Sequence, residues 1–312
     1  MNRKLHQKLS NTLGRICNSE ASPSAKSALQ NRLSEELDWM DACPGRESLV
    51  VLLHELAARM RSIGIVVSPG YGNLPYSLLL YLTGVTCINP VKWNLPFTIF
   101  TETVRDGLGT VFEAGSGCLG AAREFLSNRE GEFVTETEPG IFDINFLDGE
   151  LLQGLRLTIL ENADLDGFGH TLKTGWHSLT QSSLSRFRCG DTNAVIYFDS
   201  DRMREMLSEF GPDSFSDLVL LNALSCPERS GLYEKVLAAK NEPSTISESG
   251  YATSDFVLDE SYGIPVYKEQ AILISANQGQ QEIPMYQHLA QKSQFIGRTI
   301  LSVESMWQNK IY

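Results

Sequence analysis

Residues 68–94 read SPGYGNLPYSLLLYLTGVTCINPVKWN, and the parsing of this stretch decides the fold of the first half of the chain. Just ahead of it the apolar run Ile65-Val66-Val67 breaks at Pro69-Gly70, a second glycine follows at Gly72, and a new apolar segment opens at Leu74. That order predicts a strand at 65–67, a glycine turn, and a helix from about Leu74 to Thr83 with Gly84 as its C′ residue. Two glycines let a backbone approach a ligand closely, and the following helix would aim unpaired N–H groups and its positive dipole end back into the turn. Gly70, Tyr71, Gly72 and Asn73 are therefore the candidate nucleotide-binding residues. The turn carries no Lys or Arg, and a plain buried strand-to-helix connection is the alternative reading of the same residues.

The 312 residues are 42% apolar and 21% charged, enough for a full core and for two domains. Acids outnumber Lys and Arg by 38 to 26, a net charge of −12, which argues against a strong nonspecific grip on duplex DNA. Cys17, Cys43, Cys87, Cys118, Cys189 and Cys226 form no Cys-x-x-Cys pair, so buried or free thiols are expected rather than a metal site. No apolar run reaches membrane-spanning length, and no apolar signal core follows the basic N-terminus; the expectation is a cytoplasmic protein without a membrane partner.

Residues 1–21 read as a frayed or weakly helical arm. Ser22-Pro23 supplies an N-cap and an N1 proline for a helix through about Met40, Asp41 to Arg46 reads as a Pro-Gly loop, and a second helix runs from about Glu47 to Gly64. His54, on the apolar edge of that helix, reads as a core or boundary histidine. One further helix is expected from about Leu119 to Ser127. Asp164-Leu165-Asp166-Gly167 alternates its carboxylates but reads as a solvated glycine turn. Arg186, Arg188, Arg202 and Arg204 are the basic concentration of the second half. Taken alone they read as surface arginines paired with Asp199, Asp201 and Glu205. A helix follows Asp217 to about Leu224, and the polar residues 240–255 read as a flexible loop.

Four collinear segments resemble the alpha subunit of bacterial DNA polymerase III, the C-family replicative polymerase. Tyr81, Leu82, Gly84, Val85, Thr86, Ile88, Asn89 and Pro90 are similar to that family's Tyr-Leu-x-Gly-Ile-Thr-x-Ile-Asp-Pro, which follows a Gly-Arg-Gly-Ser turn. Gly190-Asp191-Thr192 with Met203-Arg204-Glu205-Met206, Pro212-Asp213-Ser214-Phe215-Ser216-Asp217-Leu218, and Tyr262-Gly263-Ile264-Pro265-Val266-Tyr267-Lys268-Glu269-Gln270 are similar to its downstream motifs. The resemblance implies an α+β chain. It implies a nucleotidyltransferase-like palm with a mixed sheet over residues 1–180 and a mainly helical thumb and partial fingers over residues 181–312. It sets Arg186, Arg188, Arg202 and Arg204 in a region that contacts the primer–template backbone, the other reading of those arginines. It also implies primer–template DNA, dNTP and replisome proteins as partners and, in an active enzyme, Mg²⁺. Shared descent does not by itself carry activity.

Three chemical requirements of that family are altered together. Where its Pro-Asp-Ile-Asp-Ile-Asp-Phe strand is expected, the chain reads Thr101-Glu102-Thr103-Val104-Arg105-Asp106-Gly107, with no Asp-x-Asp. Two-metal phosphoryl transfer needs carboxylates converging on ions roughly 4 Å apart, and alternate residues of a strand supply them from one face. The nearest pattern is Phe142-Asp143-Ile144-Asn145-Phe146, in which Asp143 and Asn145 share a face and only Asp143 brings charge. Asp143 is thus the candidate catalytic and metal-binding remnant; Leu151 is the other match to the family's third aspartate, before Gly154-Leu155-Arg156-Leu157-Thr158. Asp148, Glu150, Asp164 and Asp166 are the remaining acids nearby. The glycine turn lacks its cation, Cys226 stands where an arginine is expected, and of the basic fingers cluster at most Lys292 remains in Gln287-His288-Leu289-Ala290-Gln291-Lys292. The reading that follows is a catalytically inactive relative acting in binding or regulation during DNA replication or repair. An active DNA-directed DNA polymerase and a protein-interaction module without a nucleic-acid role are the alternatives.

Overall fold

The computed structural model describes residues 3–19, 22–105, 109–129, 132–148, 151–168, 179–242, 255–278 and 289–308. The chain divides into two compact units, Met1–Leu172 and Lys173–Tyr312. The first combines helices with a mixed sheet, and the regular structure among the second's described residues is helical, with a single bridge between Tyr267 and Ala290. The α+β class expected from the sequence is the class observed.

The arm expected to be frayed or weakly helical is a regular helix over Arg3–Ser19, α1, and its Leu9 is only 1% exposed. In α2 (Pro23–Asp41) Pro23 occupies the first turn, where a missing N–H costs nothing, and Leu29, Leu33, Glu36 and Met40 recur at helical spacing on the buried side. α3 (Pro44–Ser62) starts within the expected loop, again on a proline. Arg46 donates to the carbonyl of Trp39 at 2.7 Å and lies over its indole, which ties the two helices at their junction. Leu49, Val50, Leu52, Leu53, Leu56, Ala57 and Met60 are buried along α3, and Gly64 ends it with φ at 88°. His54 sits at the edge, its Nδ1 2.9 Å from the Thr83 carbonyl oxygen.

The next two expectations are corrected. Ile65-Val66-Val67 is not a strand: it makes one antiparallel bridge, Val67 to Ala114, flanked by bonds from Ser68 N–H to the Glu113 carbonyl and from Gly115 N–H to the Val66 carbonyl. Pro69 and Gly115 end the extended backbone on both sides, so nothing remains to pair. The single helix expected from Leu74 to Thr83 is split into a 3₁₀ turn, Leu74–Tyr76, and a five-residue helix α4 (Leu78–Leu82). Between them Ser77 takes an extended conformation and caps α4 with its hydroxyl on the Leu80 N–H, which moves the helix start away from the glycine turn. Gly84 follows with φ at 79°, in the expected C′ role.

Thr101 to Arg105, where a catalytic strand was expected, belong to a helix, α5 (Phe97–Arg105). Phe97 and Phe100 pack with Trp39 there. The first strand is β1 (Thr110–Ala114), followed by a Gly-Ser-Gly turn and α6 (Cys118–Ser127), then β2 (Glu132–Glu138), β3 (Ile141–Asp148) and β4 (Leu151–Glu161). The sheet order is β1-β4-β3-β2, with β1 parallel to β4 and the other pairs antiparallel. Phe112, Phe142, Ile144, Leu157 and Ile159 alternate onto one buried face, which α3 and α6 cover.

The second unit contains α7 (Gln181–Arg188), α8 (Asp201–Phe210), α9 (Phe215–Leu224), α10 (Ser230–Asn241), α11 (Asp255–Leu258), α12 (Lys268–Gln278) and α13 (Lys292–Gln308). Helix α9 is buried from Asp217 to Leu224 and lies along α13, with Asn222 donating to Thr299 Oγ1 at 3.3 Å. A capping box starts it: Ser214 accepts the Asp217 N–H while the Asp217 carboxylate receives the Ser214 N–H. Residues 243–254 of the expected 240–255 loop lie outside the described residues.

Candidate functional site

The glycines of the 70–73 turn make room for the chain itself. A Cβ on Gly70 would stand 2.6 Å from Pro75 Cγ and 2.8 Å from Ile88 Cδ1. Gly72 has φ at 60°, and a Cβ there would meet Val111 Cβ at 3.1 Å. Tyr71 is half-buried. Asn73 is 4% exposed, and neither atom of its carboxamide has a hydrogen-bond partner. The backbone N–H groups expected to face a ligand are taken from within: Glu36 accepts from Leu78 N–H at 2.7 Å, from Leu79 N–H at 2.9 Å and from the Ser77 hydroxyl at 2.8 Å.

Glu36 is fully buried, and Arg32, one turn away, donates to it at 2.8 Å while reaching the carbonyls of Tyr76 and Leu95. Burial raises the Glu36 pKa above the ordinary carboxylate value, against the lowering by Arg32 and the three donors. An internal carboxylate with an arginine behind it thus occupies the start of α4. Sequence reading missed it; the signal available was a glutamate on the apolar side of α2.

The strand lying beside the glycine turn is β1. Val111 and Glu113 alternate away from the buried Phe112, and the Glu113 carboxylate is 3.1 Å from Asn162 Nδ2. Asp143 and Asn145 share a face of β3 as expected, the side away from the buried Phe142 and Ile144. Asp143 stands opposite Arg156 in the β3–β4 register and is held by it, with Nε to Oδ1 at 3.0 Å and Nη2 to Oδ2 at 3.4 Å. Glu113 pairs with Leu160 on β4, and Asp143 pairs with Arg156 on that strand's other side. Two strand spacings and four residues of rise put the two carboxylates more than about 10 Å apart.

The other acids close local backbone. The Ser116 hydroxyl first, and then the Ser116 N–H, which donates at 2.7 Å, hold the Asp166 pKa below the usual value, and Glu161 accepts the Leu119 N–H at 3.1 Å. Asp164 is exposed on its turn, as expected for a solvated position. Among the described residues no group of three His, Cys, Asp or Glu side chains is placed to hold a metal ion. Asp143, bound to a guanidinium and distant from Glu113, does not fit a two-magnesium site. Glu150 lies outside the described residues, as do Asp106, Gln287 and His288.

In the second unit the arginines lie on α7 and α8. Arg186 donates to Asp191 at 2.8 Å; Arg188 donates to the Pro212 carbonyl at 2.8 Å and pairs with Asp213; Arg204 pairs with Asp201 at 2.8 Å and reaches Asn193 at 3.1 Å. Of the acids anticipated as partners, Asp201 is the one paired with these arginines among the described residues, and the loops after α7 and α8 supply Asp191 and Asp213. Arg202 is exposed and makes no ion pair among the described residues.

Lys292 is 2% exposed, with Nζ 2.7 Å from Glu260 Oε1 and the Tyr267 ring beneath it, while its N–H bonds to Glu269. It is committed to the core of the unit. The Cys226 thiol contacts the Glu228 carboxylate.

Residues 2–109 match the family model described as the bacterial DNA polymerase III alpha NTPase domain, and residues 180–284 match that of the bacterial DNA polymerase III alpha subunit finger domain. The DNA polymerase III subunit alpha of Halalkalibacterium halodurans is 29% identical over 154 residues, covering 47% of this chain and 13% of that protein. The Aquifex aeolicus protein of that name is 28% identical over 159 residues, with the same two shares. The Xylella fastidiosa one is 35% identical over 86 residues, 28% of this chain and 7% of that protein. The matched part is therefore a small fraction of each relative's length. Among the described residues no helix is long and apolar enough to cross a membrane.

Proposed function

We propose that this chain, a bacterial DNA polymerase III alpha-like protein, keeps the polymerase scaffold for binding or regulation in DNA replication or repair and does not transfer nucleotides. The observation that carries this reading is the Asp143–Arg156 pair. The carboxylate closest to the family's catalytic pattern is neutralised by a cation in strand register, and its nearest counterpart on β1, Glu113, is too far away to share an ion with it. The palm-like reading of the sheet rests on its mixed topology beside the glycine turn, and the DNA-binding reading rests on Arg186, Arg188, Arg202 and Arg204.

Extension of a labelled primer on a primer–template, with Mg²⁺ or Mn²⁺ and all four dNTPs, tests the loss of transfer. No extension by the full chain is expected; extension that Asp143→Ala abolishes would overturn the proposal. Binding of the same primer–template, labelled with a fluorophore, is expected to weaken with rising salt. No binding at low salt would leave a protein partner as the reading to pursue.

A second reading has one observation in its favour. The buried, unpaired carboxamide of Asn73 stands at the Gly70–Asn73 turn, and such a group ordinarily finds a polar partner. On this reading the turn holds a dNTP without turning it over. Calorimetric titration of dNTP into wild type and Asn73→Ala is the test, with heat in the first and none in the second.

A further inference from the structure

The loop at 190–200 and helix α13 set two arginines among aromatic rings. The guanidinium of Arg298 lies 5.3 Å from the ring centroid of Tyr197 and 5.3 Å from that of Phe295. Arg229 approaches the same Phe295 ring at 5.5 Å and is anchored by its bond to the Ala223 carbonyl at 3.0 Å. Phe295 is 5% exposed and forms the inner wall, whereas Tyr197, Arg229 and Arg298 are half-buried and reach the surface.

Arg298 differs from Arg186, Arg188 and Arg204, each of which is tied to an aspartate. It makes two ring contacts and no ion pair among the described residues. A guanidinium resting on aromatic faces keeps its in-plane N–H edges for a further partner, and that fork matches the oxygens of a phosphate.

The backbone points the same way. Tyr197 holds φ at 64°, a left-handed conformation that an aromatic residue seldom adopts. It is kept there by the Ile196 N–H on Ser305 Oγ at 3.2 Å and by the Thr192 hydroxyl on the Phe198 carbonyl at 2.6 Å. Two neighbouring anchors thus hold an unfavourable conformation whose outcome is a tyrosine ring beside Arg298.

We propose that Tyr197, Arg298 and Arg229 form a contact for a single strand of nucleic acid, with Arg298 on a backbone phosphate and a base on the Tyr197 ring. Stacking needs a base freed from a duplex, and every base offers a face to an aromatic ring. A duplex presents phosphates and no such face, and a net charge of −12 disfavours a strong nonspecific grip on duplex. The inference rests on the DNA-binding reading above and adds a site and a strand preference to it.

Fluorescence anisotropy of the full chain with labelled oligo-dT and with a labelled blunt-ended duplex, each across a salt series, tests it. Arg298→Gln is expected to weaken oligo-dT binding by about tenfold and to lower its salt slope by about one, leaving blunt-duplex affinity unchanged. Arg298→Lys, which keeps the charge and loses the planar fork, is expected to fall between, and it decides the matter if the glutamine variant melts early. Oligo-dT affinity equal to wild type in Arg298→Lys and Arg298→Gln overturns the site while leaving the DNA-binding reading intact. Equal losses on oligo-dT and the blunt-ended duplex overturn the strand preference. No binding of either DNA by wild type at low salt overturns both the site and the reading it rests on.

Discussion

The carboxylate of Glu36 receives the backbone N–H of Leu78 at 2.7 Å across 42 residues of sequence, and so an internal anion occupies the helix start that an external phosphate would have used. The arrangement is a stability device as well as a barrier. Removing one member of a buried charged cluster leaves the others unpaired, at a cost of about 3–5 kcal/mol. Glu36→Ala is expected to lose stability in that range by urea denaturation, and Glu36→Gln to lose less, since it keeps the shape but turns an NH₂ group toward N–H donors.

The same residue sets a pH dependence. Its pKa is raised by burial, so the folded chain takes up a proton more readily than the unfolded one. The resulting stabilisation is full below the ordinary carboxylate pKa and is lost as pH rises through the raised folded value. The difference in thermal midpoint between wild type and Glu36→Gln is expected to narrow on going up from about pH 4. A difference that widens over that range would contradict the assignment.

The glycines of the turn give a graded series. Gly70→Ala drives a methyl into Pro75 and Ile88 and is expected to cost roughly 1–3 kcal/mol. Gly72→Ala adds a left-handed backbone to the close approach of Val111 and is expected to match it. Gly84 is left-handed with open space around it, so Gly84→Ala is expected to cost only about 1 kcal/mol. Equal midpoints for all three in denaturant would argue that the turn is not packed as described.

The arginines of α7 and α8 divide by partner. Arg202→Ala, which breaks no ion pair, is expected to weaken primer–template binding and reduce its salt slope by about one with the melting temperature unchanged. Arg188→Ala, which frees the Pro212 carbonyl, is expected to lower the melting temperature. A DNA-binding loss confined to Arg188→Ala would reverse these roles.

Thiol chemistry separates two cysteines. Burial, with Glu161 adding to it, pushes the Cys118 thiol up to about 12, whereas Cys189 is exposed. At mildly alkaline pH a disulfide reagent is expected to modify Cys189 within the folded protein and Cys118 only once the chain is unfolded.

Much of this was open to the sequence because it depends on neighbours within a turn or two. Pro23 at the start of α2, the apolar repeat of α3, Gly84 after α4 and the shared face of Asp143 and Asn145 follow from backbone geometry that each residue carries with it. The family, too, was legible in short motifs. Pairings across distance were not. The split of residues 74–83 depended on Ser77 turning extended toward a glutamate on another helix, and the strand expected at 65–67 dwindled to one bridge because its neighbour β1 ended opposite Val67. That Asp143 meets Arg156, and that Glu113 is held away from both, required the strand order β1-β4-β3-β2 and its register. The sequence by itself determined which carboxylates and arginines the chain possesses. Tertiary structure alone decided which of them meet, as Asp143 meets Arg156 and Arg188 meets Asp213, because ion pairing is set by distances that only the folded backbone fixes.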